Sequence, residues 1–271
     1  MIEFIQITND PQLAALCDGL PAMRLFVDLE RNGKAQRQAG RNTFISEHTM
    51  EDVSRVSSVL TQTRLMVRLN PVYAGTQDEV DEAIARGAHM LMLPMFRGAA
   101  DLGQFCRQVA GRVPVVALLE NADALRSMDQ WMVTPGLAEV YLGLNDLHLS
   151  LGMAFMFEPL ARGIVDAVAA KVQAQGLRFG FGGMARLDEG LLPGRLVLGE
   201  HMRLGSRAVI LSRAFRAQVD DAGYTAEIEG LRAAEAELAQ RSATEIQQNR
   251  LLARELIDQI AMKIRATAGP A

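Results

Sequence analysis

Short runs of Val, Ile, Leu and Met recur along residues 2–212, and longer amphipathic segments separate them. Most of these runs are apolar at nearly every position, which is typical of parallel strands that are covered on both faces. The runs are IEFIQI (2–7), RLFVDL (24–29), RLMVRL (64–69), HMLMLPM (89–95), PVVALL (114–119), EVYLGL (139–144), RFGFGG (178–183) and RAVILS (207–212). We predict one strand for each run.

The intervening segments predict helices, because their apolar residues recur at helical spacing. These segments cover residues 10–19, 49–60, 76–86, 99–110, 122–130, 157–175 and 195–204. Eight strand and helix units in one chain predict an α/β fold, the (β/α)8 TIM barrel, over residues 1–220. An open doubly wound sheet is the alternative, but the sequence has no GxGxxG motif to support it.

Residues 225–266 have a different composition, rich in Ala, Glu, Gln, Arg and Leu, and predict two extra C-terminal helices within a 221–271 extension. The second helix opens with a capping box from Ser242 to Glu245. Leu252, Leu256, Ile260 and Ile264 then follow at a spacing of four, on one helix face. This stripe packs either on its own domain or, by exchange, on a neighbouring subunit.

The composition excludes several classes of partner and site. The chain has 271 residues, a net charge of −4 and a pI near 5.7, so a basic face for nucleic acid is not expected. Cys17 and Cys106 have no CxxC or Cys/His spacing that would indicate a zinc site or a disulfide scaffold. The sequence has neither a basic N-terminal leader nor an apolar run of membrane-spanning length, so no membrane partner and a cytoplasmic location are expected.

Polar residues follow several of the predicted strands. They are Asp28, Glu30, Arg68, Asn70, Glu120, Asn145 and Asp146. In a parallel barrel the carboxyl ends of all strands lie at one rim, where carboxylates can bind Mg²⁺ or Mn²⁺ and an arginine can bind an anionic substrate. The simpler alternative is that an acid after a strand only caps the next helix, as in NDLHLS.

These segments resemble the HpcH/HpaI aldolase and citrate lyase β-subunit family, a branch of the pyruvate/phosphoenolpyruvate barrel superfamily. The resemblance covers about residues 20–215. It is carried by FVDLE (26–30), VRLNP (67–71), GAHMLMLPMF (87–96), LLENADAL (118–125), YLGLNDLHLSLGM (141–153) and FGFGG (179–183). It implies that Glu120 and Asp146 hold the metal and that Arg68 binds the substrate.

One position departs from the family pattern. Where the aldolase branch has a proton-transfer histidine after VDLE and the citrate lyase branch has an acid, this chain has Arg31. The general base therefore stays open among Glu30 or Asp28 acting through a metal-bound water, a substrate phosphate or carboxylate, and His48.

Further residues near the rim are candidates for substrate binding. Arg31 and Lys34 follow the second strand and can meet a distal phosphate or carboxylate, and Arg213 follows the eighth strand. Gly143 and Asn145 lie beside the NDLHLS segment, where backbone N–H groups near Gly143 or Gly182 can add donors. His48 precedes a predicted helix, so it has either a structural role or a role in proton transfer.

The sequence thus predicts a lyase: a class II, metal-dependent aldolase that interconverts a hydroxy-oxo acid with a pyruvate-type enolate and an aldehyde, with Mg²⁺ or Mn²⁺ as cofactor. The alternatives are an acyl-CoA lyase or thioesterase of the citrate-lyase and malyl-CoA-lyase type, and a subunit that binds a 2-oxo acid without turnover. The resemblance also implies a homo-oligomer, a hexamer or trimer.

Overall fold

The structure is a computed structural model that describes residues 1–33, 46–212, 215–217 and 219–267. Its eight strands form one closed barrel and follow one another in chain order. They are β1 (Glu3–Ile7), β2 (Met23–Asp28), β3 (Arg64–Arg68), β4 (Met90–Leu93), β5 (Val115–Leu119), β6 (Leu137–Leu142), β7 (Arg178–Met184) and β8 (Ala208–Leu211). The predicted (β/α)8 barrel is therefore confirmed.

The helices of the described residues alternate with these strands. They are α1 (Pro11–Asp18), α2 (Met50–Ser57), α3 (Thr76–Ala85), α4 (Ala99–Val109), α5 (Ala122–Arg126), α6 (Met128–Trp131), α7 (Leu144–Ser150), α8 (Glu158–Ala161), α9 (Ile164–Ala174), α10 (Gly194–Arg203), α11 (Asp221–Leu238) and α12 (Ala243–Thr267). The helix predicted over 157–175 is two helices, because Gly163 adopts a left-handed φ of 73° that ends one and begins the next.

The chain divides into two compact units. The N-terminal unit comprises Phe4–Leu119 and Asp123–Tyr141. The C-terminal unit comprises Met1–Glu3, Glu120–Ala122 and Leu142–Ala271. None of the helices in the part of the chain that the structure describes is long and apolar enough to cross a membrane.

The N-terminal unit contains strands that are buried on both faces. All six residues of β2 are buried, the apolar ones as predicted and the charged Arg24 and Asp28 with them. A fully buried ion pair joins β2 to β6: Arg24 Nη1 and Nη2 donate to the two carboxylate oxygens of Glu139 at 2.8 and 2.9 Å. Such a pair is bidentate, which fixes the orientation of both side chains.

Asp18 is the last residue of α1, the first helix of this unit. Its carboxylate accepts hydrogen bonds from the backbone N–H groups of Thr61, Gln62 and Thr63 and from the Thr61 hydroxyl. Partial burial opposes ionisation, but these bonds outweigh it and hold the pKa of Asp18 well below its usual value. The loop before β3 is thereby tied to the end of α1.

In the C-terminal unit, α12 packs against α10 and α8. Asn249 Nδ2 lies 3.5 Å from the Leu196 carbonyl and 3.3 Å from Glu200 Oε1. Further along α12, Asp258 pairs with Arg162 at 2.7 Å, and Arg265 pairs with the buried carboxylate of Glu158. The capping box predicted at Ser242 and Glu245 is present.

The stripe predicted for α12 is not its buried face. Ala253, Ile257 and Ala261 are buried, whereas Leu252 is 48% exposed and its neighbour Leu251 is 49% exposed. The packing uses the small residues because α12 approaches α10 closely at Gly199, where a Cβ atom would lie 2.7 Å from Asn249 Oδ1. Helix α12 thus packs on its own chain in this structure, and its exchange between subunits stays a prediction.

Candidate active site

Arg68 and Asp28 form the centre of a polar cluster in the N-terminal unit. They face each other in the register of β2 and β3, at the last residue of each strand. Arg68 Nε and Nη2 donate to Asp28 Oδ1 and Oδ2, both at 2.8 Å. Glu30 Oε2 lies 3.4 Å from Arg68 Nη2, and the Glu30 amide donates to Asp28 Oδ1 at 3.2 Å. The structure therefore brings together three of the predicted residues.

This cluster is only partly open to solvent. The Arg68 side chain is 15% exposed, whereas those of Asp28 and Glu30 are 6% and 2% exposed. Because Asp28 meets Arg68 in a bidentate pair, it fixes the plane of the guanidinium group. Asp28 is therefore placed to orient Arg68, and Glu30 is the carboxylate whose pairing with Arg68 is looser.

Asn70 connects this cluster to the neighbouring loop and helix. Its Oδ1 accepts the backbone N–H groups of Arg31 and Asn32, both at 2.9 Å. Its Nδ2 donates to Glu79 in α3, and burial raises the pKa of that carboxyl. Sequence reasoning placed Asn70 at a strand end but gave it no role, because no local pattern links it to Glu79 nine residues later.

His48 lies against the end of β2. Its Nδ1 accepts the backbone N–H of Asp28 at 3.1 Å, and its ring is nearly buried. Arg31 reaches the same segment, since its Nη2 donates to the backbone carbonyls of His48 at 3.0 Å and Glu47 at 3.5 Å. The Arg31 guanidinium thus contacts backbone carbonyl groups of its own chain.

The two residues predicted to hold a metal both belong to the C-terminal unit. Glu120 follows β5 directly and is 2% exposed, and Asp146 is half-buried in the first turn of α7. Their segments are adjacent, because the Ala122 N–H donates to Ser150 Oγ at 2.9 Å. Buried and half-buried carboxylates on neighbouring segments are suitable donors for a hard divalent cation.

One detail of this prediction is wrong: Asn145 and Asp146 do not end a strand. Strand β6 stops at Leu142, and α7 begins at Leu144 with Gly143 as its N-cap residue. Asp146 therefore lies in the first turn of the helix and not at its N-cap position. Asn145 is exposed and Gly143 is half-buried. Gly143 and Asn145 therefore remain predicted substrate contacts.

Two predicted substrate contacts, Lys34 and Arg213, lie outside the described residues. Within the described residues, no group of three or more His, Cys, Asp or Glu side chains is arranged to hold a metal ion. A cation held by Glu120 and Asp146 alone would have coordination positions left for substrate and water. Mg²⁺ is commonly bound in this way, by one or two carboxylates.

Comparison with known proteins places the chain in a family. Residues 7–158, more than half of the chain, match the HpcH/HpaI aldolase/citrate lyase family model. No curated protein sequence matches the chain.

Solved structures share the fold at low sequence identity. An HpcH/HpaI aldolase from Desulfitobacterium hafniense DCB-2 has a TM-score of 0.61 and 15% identity, over 89% of this chain and 94% of its own. A citrate lyase from Burkholderia xenovorans LB400 has a TM-score of 0.61 and 17% identity, over 100% and 94%. CitE from Mycobacterium tuberculosis, in complex with magnesium, acetoacetate and coenzyme A, has a TM-score of 0.56 and 17% identity, over 93% and 86%. From the family match, the chain is a member of the HpcH/HpaI aldolase/citrate lyase family.

Proposed function

We propose that this protein is a divalent-metal-dependent carbon–carbon lyase of aldolase type, which acts on a 2-oxo acid. The observation that carries the proposal is the pair of carboxylates, Glu120 and Asp146, on adjacent segments of the C-terminal unit. Mg²⁺ or Mn²⁺ is the cofactor that such oxygen donors fit. The magnesium in CitE, a protein of the same fold, supports this choice.

Arg68 is the proposed ligand for the substrate carboxylate. Its guanidinium is held in one plane by Asp28, so little side-chain entropy is lost when an anion binds. Arginine suits this role because its fork of N–H donors matches the two oxygens of a carboxylate. Asp28 then orients Arg68, which makes Asp28 an unsuitable general base.

The proposed reaction cleaves a 4-hydroxy-2-oxo acid. A base removes the proton of the C4 hydroxyl, the C3–C4 bond breaks, and its electron pair forms the enolate of pyruvate while C4 becomes an aldehyde. Protonation at C3 completes the cycle. A bound divalent cation supplies positive charge for the oxygen on which the enolate charge develops. Among the carboxylates of the Arg68 cluster, Glu30 remains the candidate base.

An acyl-CoA lyase or thioesterase is the second candidate function. It is favoured by the likeness to CitE, whose structure contains coenzyme A and acetoacetate. The residue after VDLE does not distinguish the two candidate functions, because it is Arg31 and neither the histidine of the aldolase branch nor the acid of the citrate lyase branch.

Proton NMR of pyruvate in D₂O tests the proposal. With purified protein and Mg²⁺ or Mn²⁺, we expect loss of the methyl signal as C3 protons exchange, and we expect EDTA to stop the exchange. Cleavage of malyl-CoA or citramalyl-CoA without exchange of pyruvate would favour the acyl-CoA candidate. Absence of both reactions with either metal would contradict a lyase function.

A further inference from the structure

Asn70 lies between the end of β3 and the segment that follows β2, and its side chain is hydrogen-bonded on both sides. The Asn70 backbone N–H donates to Glu79 Oε2 at 3.2 Å, and Asn70 Nδ2 donates to Glu79 Oε1. Asn70 Oδ1 accepts the backbone N–H groups of Arg31 and Asn32, both at 2.9 Å. One carboxamide thus joins the first turn of α3 to the residues directly after Glu30.

The carboxylate of Glu79 determines which way the Asn70 carboxamide faces. An ionised carboxylate only accepts hydrogen bonds, so the NH₂ group of Asn70 must face Glu79 and the oxygen must face the opposite side. With the carboxamide turned over, its oxygen would meet a carboxylate and its NH₂ group would meet two backbone N–H groups. Asn70 Oδ1 is therefore fixed as the acceptor for Arg31 and Asn32.

The charge of Glu79 is costly to bury. The side chain is half-buried, and within the described part of the chain no Arg or Lys side chain forms an ion pair with it. Burial raises the pKa of the Glu79 carboxyl, and the hydrogen bonds from Asn70 oppose this shift. A glutamine would avoid the cost, but it offers one donor and one acceptor where Asn70 needs two acceptors. The carboxylate is therefore explained by the orientation that it gives to Asn70.

The backbone that Asn70 holds is the backbone that carries Glu30. Of the three successive N–H groups of residues 30–32, the first donates to Asp28 and the other two donate to Asn70. Glu30 Oε2 lies 3.4 Å from Arg68 Nη2, and Asn70 follows Arg68 by two residues. Because Asp28 holds the Arg68 guanidinium separately, a change at Asn70 should displace Glu30 more than Arg68.

We propose that Asn70 and Glu79 are positioning residues that hold Glu30 at its distance from Arg68, and that Glu79 acts by orienting the Asn70 carboxamide. The inference rests on the proposed function, in which Glu30 is the candidate base and Arg68 binds the substrate carboxylate. Neither positioning residue needs to touch the substrate. A rigid support for Glu30 matters because a displacement of about 1 Å can cost about 100-fold in rate.

Exchange of the carboxylate and the carboxamide tests this arrangement. In Glu79→Gln, an NH₂ group meets an N–H group of Asn70, unless Asn70 turns over and loses its bonds to Arg31 and Asn32. In Asn70→Asp, two carboxylates face each other. In the double variant Asn70→Asp/Glu79→Gln, the new NH₂ group donates to the new carboxylate, whose other oxygen accepts from the two backbone N–H groups. Every hydrogen bond of the wild type then has a counterpart.

We expect each single variant to lower kcat about 10–100-fold with little change in KM, because Arg68 still binds the substrate carboxylate. The double variant should recover most of the loss. A role in packing alone does not predict that two harmful substitutions compensate each other. The assay is cleavage of a 4-hydroxy-2-oxo acid such as 4-hydroxy-2-oxopentanoate, with Mg²⁺ or Mn²⁺.

Glu82→Gln is the matched control, because Glu82 is a more exposed carboxylate of the same helix and pairs with Arg86 at 2.9 Å. It removes a charge three residues after Glu79 without touching Asn70. We expect this variant to keep wild-type kcat and KM.

A second readout does not depend on turnover. In backbone ¹H–¹⁵N spectra, the amide protons of Arg31 and Asn32 should move upfield in Glu79→Gln, because their hydrogen bonds to Asn70 weaken. Both signals should return downfield in the double variant and should stay in place in Glu82→Gln. If a single variant does not fold, the double variant still decides, since its kcat and its amide signals should be close to those of the wild type.

Three results would each overturn the inference. They are wild-type kcat in Glu79→Gln, amide signals of residues 31 and 32 that do not move in that variant, and a double variant no more active than the single ones. A wild type without any metal-dependent reaction would instead refute the proposed function. The amide signals would then still show whether Glu79 orients Asn70.

Discussion

Glu120 is the residue on which the metal proposal depends most directly. Its side chain is 2% exposed at the end of β5, and a carboxylate in that position is costly unless it has positively charged or hydrogen-bonding partners. In the proposed function, a bound cation is one such partner. We therefore expect the charge of this side chain to affect the affinity for metal.

We predict that Glu120→Gln lowers the affinity for Mg²⁺ or Mn²⁺ at least about 100-fold, because an amide oxygen replaces a charged ligand. Metal-dependent exchange of pyruvate should fall in parallel. Isothermal titration calorimetry measures the first effect and proton NMR the second, with circular dichroism to verify the fold.

Asp123→Asn is the matched control for Glu120→Gln, because Asp123 is a nearby carboxylate that is 53% exposed and pairs with Arg126. It should bind metal as the wild type does. Unchanged metal affinity in Glu120→Gln would mean that the cation binds elsewhere.

His201 is a buried histidine whose surroundings the sequence did not indicate. It stacks on Phe181 at 3.8 Å between ring centroids, and its Nδ1 lies 2.8 Å from Ser206 Oγ. Its Nε2 has no hydrogen-bond partner among the described residues. Burial lowers the pKa of His201 to about 3, from 6.5. This histidine is a neutral core residue and not part of a metal site.

The lowered pKa of His201 predicts how the free energy of unfolding depends on pH. Below about pH 6.5 the unfolded chain binds a proton at His201 that the folded protein does not, so the free energy of unfolding falls as the pH falls towards 3. The contribution of this residue is about 2 kcal/mol between pH 6.5 and pH 5, at 1.36 kcal/mol per pH unit.

Urea unfolding of His201→Phe at pH 7 and pH 5 measures this effect. The variant should lose less stability over that interval than the wild type, because a phenyl ring keeps the apolar stack but cannot bind a proton. An equal loss of stability in both proteins would contradict the assignment.

At the scale of elements, the contact of α10 with α12 depends on Gly199. A Cβ atom there would lie 2.7 Å from Asn249 Oδ1 and 2.9 Å from Arg241 Nη1. Gly230, in α11, is the useful comparison, because its nearest atom beyond its own helix is Leu187 Cδ1 at 3.9 Å.

We predict different effects for the same substitution at these two helical glycines. Gly230→Ala should stabilise the protein by about 0.5–1 kcal/mol, because alanine is the better helix former. Gly199→Ala should give little or none of this gain, because the methyl group must displace the end of the Asn249 side chain from Glu200 and from the Leu196 carbonyl. Chemical unfolding measures both, and hydrogen exchange over 243–267 shows whether α12 loosens. Equal stabilisation by both variants would show that α12 does not pack as described.

The elements that the sequence predicted well are those with a simple pattern. Strands buried on both faces are continuous apolar runs, as β5 is, and the barrel follows from their alternation with helices. The buried face of α12 could not be predicted, because hydrophobic patterns weigh large side chains and this face is set by Ala253 and Ala261. Likewise, no local sequence pattern shows that the imidazole of His48 accepts a hydrogen bond from the backbone N–H of Asp28.

The contacts of Arg68 were less predictable than its position at a strand end. Glu120 and Asp146, which were identified from strand ends and family motifs, stay predicted metal ligands. The bidentate pairing of Arg68 with Asp28 depends on the register of β2 and β3, which places the two residues opposite each other. Register is a tertiary property, so the sequence alone did not show which carboxylate would hold the arginine.

At the scale of the whole molecule, α12 leaves an apolar flank exposed. Leu251 and Leu252 are about half exposed, and Met262 is 60% exposed. Large side chains of this kind on one helix are typical of surfaces that contact another chain. We propose that a second copy of this chain covers them, in line with the homo-oligomer expected from the sequence.

We predict a mass in solution well above the 29.6 kDa of one chain. Leu252→Glu combined with Met262→Glu should reduce that mass, because two charges would be buried without partners. Light scattering after size-exclusion chromatography measures both. Val133→Glu, at an exposed residue of the N-terminal unit, is the control. A monomeric wild type at micromolar concentration would contradict the proposal.

The buried pair of Arg24 and Glu139 has a consequence for the history of the sequence. Loss of either partner alone leaves an uncompensated charge in the interior, which typically costs about 3–5 kcal/mol, a large part of a domain's stability. A single replacement of Arg24 or of Glu139 is therefore selected against. Descendants of this lineage should keep the two residues together or exchange them together, even where the substrate has changed, so their joint presence would trace ancestry independently of chemistry.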